Sequence, residues 1–247
     1  MKNTLLTIDW DYFVPEKLEW DIQHAESLLY LKHLWPNRGP YFKDIIKTNG
    51  EEIGWWDKLH RRGYDISGDI VYVSDSHLFA ANLGTYDQII TVDAHHDMWP
   101  PSVNDPNATL WCDNWLRQYL QLNPETKAHW VQAEWAKEDF KSVKPDAANY
   151  TDLWERVEEE WPEEADITCI HICRSGCWTP PWLDDQFLEF VNDPALPTVR
   201  LQKGVWDPLI SRWDHQMRAA IEQWAEIGKE VMENNGETRT TFSLKRV

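Results

Sequence analysis

The chain has few cysteines: Cys112, Cys169, Cys173 and Cys177, four in 247 residues. They match no disulfide scaffold and suit a reducing, cytoplasmic setting, each as a buried thiol. Basic residues are also scarce, with 24 Lys and Arg against 42 Asp and Glu and a formal net charge of -18. Such a surface repels duplex nucleic acid and anionic membranes, so neither is expected as a partner. Partners that carry positive charge are favoured, among them arginine- and lysine-containing substrates. No window approaches the roughly 20 apolar residues of a spanning helix. The opening MKNTLLTIDWDYF has a short apolar stretch ending in two carboxylates, unlike a signal peptide. No internal repeat or linker is found, and a homo-oligomer is compatible with the sequence.

What is present describes a globular protein, with 42% hydrophobic and 27% charged residues. The length suits one α/β domain over 1–247, able to bury a core without disulfides. Residues 5–8, 70–73, 89–92 and 167–173 are apolar runs of strand length. Their continuous rather than alternating pattern suits strands buried on both faces of a mostly parallel sheet. The stretches between them are long enough for crossover helices. Helical patterning starts around Ile22, Ala25, Leu28 and Leu29, and Asn37-Arg38-Gly39-Pro40 is expected to break it. Residues 51–62, closed by Gly63, and 111–122 are further helix candidates. An irregular stretch holds Pro100, Pro101 and Pro106, and the acidic run 155–164 reads as a solvated face. A last helix is expected over 210–232, with Ile210, Trp213, Met217, Ile221, Trp224, Ile227 and Val231 on one face against the sheet. The expected fold is a three-layer α/β/α domain.

Three of the apolar runs end in groups that bind metals: Asp9-Trp10-Asp11, Ser74-Asp75-Ser76-His77, and Asp93-Ala94-His95-His96-Asp97. In a strand, residues i and i+2 point the same way, so Asp9 with Asp11, and Asp93 with His95 and Asp97, can face one site if the strands persist. Sites in open α/β sheets form beyond the carboxyl ends of strands, where all six groups fall. Carboxylate and imidazole without thiolate fit manganese, iron or zinc in a hydrolytic pair. His96 is out of phase and should face away from the ions. Asp75 is expected to orient His77, since metal-bound imidazoles usually donate their other N–H. Asp113 and Asn114 are either acceptors for a guanidinium or helix caps. His171, Cys173 and Cys177 would need a fourth ligand to hold zinc.

The segment Asp93-Ala94-His95-His96-Asp97 resembles the D-A-H-x-D signature of the arginase and agmatinase (ureohydrolase) superfamily, and Asp9-Trp10-Asp11 resembles its D-x-D strand end. Here the D-x-D segment comes first, as if the chain were permuted. Asp9-Trp10-Asp11-Tyr12-Phe13 also looks like the D-x-D-x-F strand end of a divergent arginase-like group. The nearest likeness is to the peptide arginases of bacterial pathways that make ribosomal peptides. The resemblance implies an arginase-like fold and two Mn²⁺ ions per chain, with Fe²⁺ or Zn²⁺ as the alternatives. Asp9 and Asp93 would bridge the ions. His77 and Asp97 would complete one shell, and His95 and Asp11 the other. The implied reaction is hydrolysis of an arginine side chain in a precursor peptide to ornithine, with release of urea and Asp97 passing a proton to the leaving amine. The histidine and substrate loops of ordinary arginases have no match, which argues against free arginine.

Tryptophan is abundant, at 17 residues. Trp55, Trp56, Trp99, Trp178 and Trp182 fall in segments that read as loops or rims. They are either core or aromatic anchors for a peptide, whose guanidinium groups ring faces attract. Trp178 in particular follows a strand and is a candidate pocket wall. Two rival readings use the same residues: another metallohydrolase, either an amide deacylase or a small-molecule ureohydrolase, and a non-enzymatic, metal-containing peptide-binding protein.

Overall fold

Strand β1 (Asn3–Asp9) comes first in the chain and lies in the middle of the sheet. The structure is a computed structural model that describes residues 3–15, 28–66, 70–99, 110–139, 151–196, 199–201 and 207–234. The helical positions expected at Ile22 and Ala25 and the proline stretch at Pro100, Pro101 and Pro106 lie outside the described residues. After β1 come α1 (Leu28–Phe42), α2 (Trp55–Arg61), β2 (Val71–Ser74), β3 (Gln88–Asp93), α3 (Trp115–Leu122) and β4 (Lys127–Gln132). Then follow α4 (Glu134–Asp139), α5 (Thr151–Trp154), β5 (Val157–Glu158), β6 (Asp166–Cys173), α6 (Asp184–Val191), β7 (Val199–Leu201) and α7 (His215–Asn234). Seven strands form one sheet in the order β5-β4-β3-β1-β6-β2-β7. Every pairing among them is parallel.

Alternation along the strands separates two cores. Leu6 and Ile8 of β1, Val71 and Val73 of β2, Ile90 and Val92 of β3, and Ile170 and Ile172 of β6 pack with Trp35 of α1, Trp56 and Leu59 of α2, and Phe187 of α6. Leu5, Ile89, Ala128 and Cys169 face the other way and pack with Trp115, Leu116, Tyr119 and Leu120 of α3. The result is three layers, as the continuously apolar strands imply. Two residues beyond Leu5, Ile89 and Cys169, on the α3 side, lie Thr7, Thr91 and His171, all buried. Asp9 and Asp93 come two residues later again on that side. The polar positions of the second face thus lead up to the carboxyl ends of β1 and β3.

Several expectations are corrected. Helix α1 does not break at Asn37-Arg38-Gly39-Pro40 but runs through Pro36 and Pro40. The two prolines are four apart, so their missing amides fall on one side, and the Lys43 N–H closes the end of the helix on Gly39 O at 3.0 Å. Tertiary contacts hold it: Trp35 is buried and donates to Gly176 O at 3.0 Å. Helix α7 begins at His215, so Ile210 and Trp213 precede it, and it packs on α1 rather than on the sheet. Met217 and Ile221 are its buried contacts, whereas Trp224 and Ile227 are exposed. Val231 is among the residues whose side chains are not described. Trp55 and Trp56 are core residues and not rim anchors, and Trp56 Nε1 donates to Phe190 O at 3.0 Å. Strand β4 escaped the sequence reading because Lys127, His129 and Gln132 interrupt its apolar run.

Candidate metal centre

Both donor-bearing segments leave their strands at the first aspartate. Asp9 ends β1, and its Oδ1 accepts the N–H of Asp11 at 3.3 Å as the chain enters a 3-10 turn over Trp10–Phe13. Asp93 ends β3, and its Oδ1 accepts the N–H of His95 at 2.7 Å. Strand alternation therefore does not carry the donors, as the sequence reading supposed. In each segment the first carboxylate caps a turn that brings residue i+2 back beside it. Asp97 has φ 51, a left-handed conformation uncommon outside glycine. Backbone held this way needs surrounding structure to maintain it and tends to occur at functional sites. His77 opens a short 3-10 helix, His77–Asn82, directly after β2.

These turns gather two groups of donors that share one carboxylate. Asp9, His77 and Asp93 form one, and Asp11, Asp93 and His95 the other. His77 Nδ1 lies 3.3 Å from Asp9 Oδ2, 2.9 Å from Asp93 Oδ2 and 3.0 Å from Asp97 Oδ2. His95 Nδ1 lies 3.0 Å from Asp11 Oδ2 and 3.7 Å from Asp93 Oδ1. The His95 side chain is 18% exposed and the carboxylates are nearly closed off, so access runs past His95. The Trp178 ring stands 4.7 Å from the His95 ring at that entrance.

The electrostatics call for cations. Burial raises Asp9, and the charge of Asp93 adds to it. Burial, then the charges of Asp9 and Asp93, push Asp11 up to about 7. Asp97 lies well above the carboxylate range through burial and the charge of Asp93. Burial would raise Asp93 too, but its contacts with His77 and His95 hold it below its ordinary value. Burial opposes protonation of both imidazoles, yet the carboxylates around them hold His77 and His95 well above the ordinary range. Four buried carboxylates resist ionising together without positive charge between them. His77 Nδ1, Asp93 Oδ2 and Asp11 Oδ1 are buried without hydrogen-bond partners, at the place where the donors converge. A pair of divalent ions fits these residues, and hard oxygen with imidazole nitrogen is the chemistry of such ions.

Comparison with protein families, curated proteins and solved structures found no match. The buried pair of donor groups and the parallel sheet stand on the geometry alone. They are consistent with a metal-dependent hydrolase of the ureohydrolase type.

The remaining sequence candidates sort themselves around this centre. His96 faces away, with Nδ1 accepting the Met98 N–H at 2.9 Å and its ring among Trp99, Trp130 and Trp154. The outward nitrogen of His77 meets Thr7 Oγ1 at 2.7 Å, where Asp75 was expected. Asp75 is buried, and its backbone carbonyl accepts the Gly176 N–H at 3.3 Å. Asn114 is buried, and its Oδ1 takes the Trp111 N–H at 2.9 Å and Gln118 Nε2 at 3.2 Å. Asp113 is partly exposed, and its carbonyl binds the Trp99 N–H at 3.1 Å, tying its loop to the Asp97 segment. Cys173 Sγ accepts the Ser175 N–H at 3.1 Å and both His171 nitrogens meet hydroxyls, so no zinc site forms there.

Two further side chains were not singled out from sequence. Trp115 Nε1 donates to Asp97 Oδ2 at 2.5 Å, and its ring lies 4.8 Å from that of His77. Arg212 is buried against Asp184 and also donates to Gly176 O and Thr179 O, at 2.8 and 2.9 Å. It thereby braces the loop that carries Trp178. Trp115 was read only as part of the helix candidate 111–122, and Arg212 had no signal.

Proposed function

We propose that this chain is a dinuclear manganese hydrolase that acts on arginine side chains within a peptide, releasing urea and leaving ornithine. The observation that carries this reading is the sharing of Asp93 between the two donor groups. Asp9 and Asp93 would bridge the ions, with His77 and Asp97 on one and Asp11 and His95 on the other. Divalent ions held by these residues would supply a nucleophile by lowering the pKa of water toward neutrality. The chain's own residues do the rest. Asp97 would take up a proton and pass it to the departing amine, and Trp115, which donates to its Oδ2, would hold that carboxylate in place. The Trp178 face beside the partly exposed His95 suits a planar guanidinium. Asp113, on the loop tied to Trp99, offers that guanidinium an acceptor.

A peptide rather than a free amino acid is favoured by the likeness to peptide arginases and by the lack of loops for free α-amino and α-carboxylate groups. The net charge of -18 also favours a basic partner. Remote contacts with a peptide can be used to position its guanidinium. The test is urea release by Mn²⁺-reconstituted protein from free arginine, an end-blocked arginine peptide and a longer basic peptide. Efficiency, kcat/KM, should rise in that order. Equal or better turnover of free arginine would replace this reading with a small-molecule ureohydrolase, and metal binding without urea release from any of the three would oppose a ureohydrolase altogether.

A further inference from the structure

The sheet face that leads to the donors carries buried polar side chains where apolar ones would ordinarily pack. Thr7 of β1, Ser74 of β2 and His171 of β6 are each fully buried. None belongs to either donor group, yet they are joined to one donor. Thr7 Oγ1 lies 2.7 Å from His77 Nε2 and 2.9 Å from His171 Nδ1. Ser74 Oγ lies 2.8 Å from His171 Nε2 and 2.8 Å from the backbone oxygen of Ser76.

The direction of every bond in this chain follows from its far end. A carbonyl oxygen only accepts, so the Ser74 O–H donates to Ser76. The Ser74 oxygen then accepts a hydrogen bond from His171 Nε2–H. His171 meets hydroxyls and not carboxylates at both nitrogens, so no counter-charge supports a second proton on a buried ring. With its one proton on Nε2, His171 accepts at Nδ1, and the Thr7 O–H fills that position. The Thr7 oxygen is left to accept, and the group facing it is His77 Nε2. His77 therefore keeps its Nε2 proton, so the proton displaced when an ion binds is the one on Nδ1, which faces Asp9, Asp93 and Asp97.

We propose that Ser74, His171 and Thr7 form a one-way hydrogen-bond chain, anchored on the Ser76 carbonyl, that fixes the tautomer of His77 and presents its Nδ1 to the first metal ion. This rests on the dinuclear reading above. A lone hydroxyl beside His77 would select no tautomer, because it donates and accepts equally well. The selection comes from the carbonyl and is transmitted by the imidazole of His171, which accounts for a histidine at the centre of a parallel sheet. The three are positioning residues and touch neither ion nor substrate.

Two measurements on the full chain test this. Long-range ¹H–¹⁵N NMR of the Zn²⁺-loaded protein should show His171 as the Nε2–H tautomer. Calorimetric titration of chelator-stripped protein with Mn²⁺ should show Thr7→Val weakening one of two sites by about 10- to 100-fold while sparing the other, and Thr7→Ser restoring it. Should Thr7→Val not fold, Ser74→Ala takes its place, with the same single site weakened and the His171 tautomer mixed. A His171 Nδ1–H tautomer, Thr7→Ser as impaired as Thr7→Val, or either removal variant titrating like the parent would overturn the proposal. Two ions in the parent with unaffected variants would sink this role alone. Fewer than two ions in the parent would sink the dinuclear reading and this role with it.

Discussion

Asp93 is the carboxylate on which the two donor groups meet, and His96, three residues on, stands outside both. Asp93→Asn should therefore abolish turnover and lower occupancy by both ions, read as Mn²⁺ per chain after desalting. His96→Ala should keep both ions. It should still destabilise the fold by about 1–3 kcal/mol, because the Met98 N–H loses its acceptor in a buried setting. The reverse pattern, ions lost with His96→Ala and kept with Asp93→Asn, would show that the donors are wrongly assigned. Trp115→Phe keeps the ring against His77 and removes the N–H that holds Asp97. A hydrogen bond to a charged group contributes about 1.5–3 kcal/mol, so kcat at saturating Mn²⁺ should fall by about tenfold or more and Tm by several degrees. The six proposed donors were legible in the sequence because each sits just beyond an apolar run. The groups that hold them were not. His171 gains its role from partners 164 and 97 positions away, and nothing local to it reports them.

The elements differ in how far local signals fix them. The runs that became β1, β2, β3 and β6 were legible as buried parallel strands because both faces are covered. Helix α1 was not legible past residue 36, since Pro36, Gly39 and Pro40 all oppose helix and only packing holds them in it. Gly39 shows what that packing requires. A Cβ there would stand 2.5 Å from Ile221 Cδ1, 2.7 Å from Cγ1 and 2.9 Å from Cγ2. The crowding reaches the branch of Ile221, so a simple rotamer change does not relieve it. Gly39→Ala, which by helix propensity alone should stabilise α1, is expected instead to cost about 1–3 kcal/mol, as overpacking does. Adding Ile221→Ala should recover part of that loss in thermal melts. A more stable Gly39→Ala single variant would mean that α7 does not seat on α1 as described.

For the whole molecule, the ions and the fold should depend on one another. Four buried aspartates close together are tolerated best with cations between them, and ions that bind only the folded chain stabilise it. At free metal about 100-fold above Kd, each of the two sites contributes about 2.7 kcal/mol, so stripping both ions by chelation should lower Tm by about 10–20 °C at this chain length. An unchanged Tm would argue that the carboxylates are accommodated without metal. The position of β1 has a kinetic consequence. β1 is an inner strand, and its neighbours β3 and β6 lie far from it in the sequence. The Asp11–His95 contact spans 84 positions and needs only β1 and β3, whereas the Thr7–His171 contact spans 164 and needs β6. β2, which delivers His77, pairs with β6 and β7. Long-range pairing of this kind slows folding. On refolding, the Asp11–His95 half of the centre is expected to take shape early and the His77 half only after β6 docks. Time-resolved Mn²⁺ uptake should then show one ion entering before the other, while simultaneous entry would mean that the two halves close together.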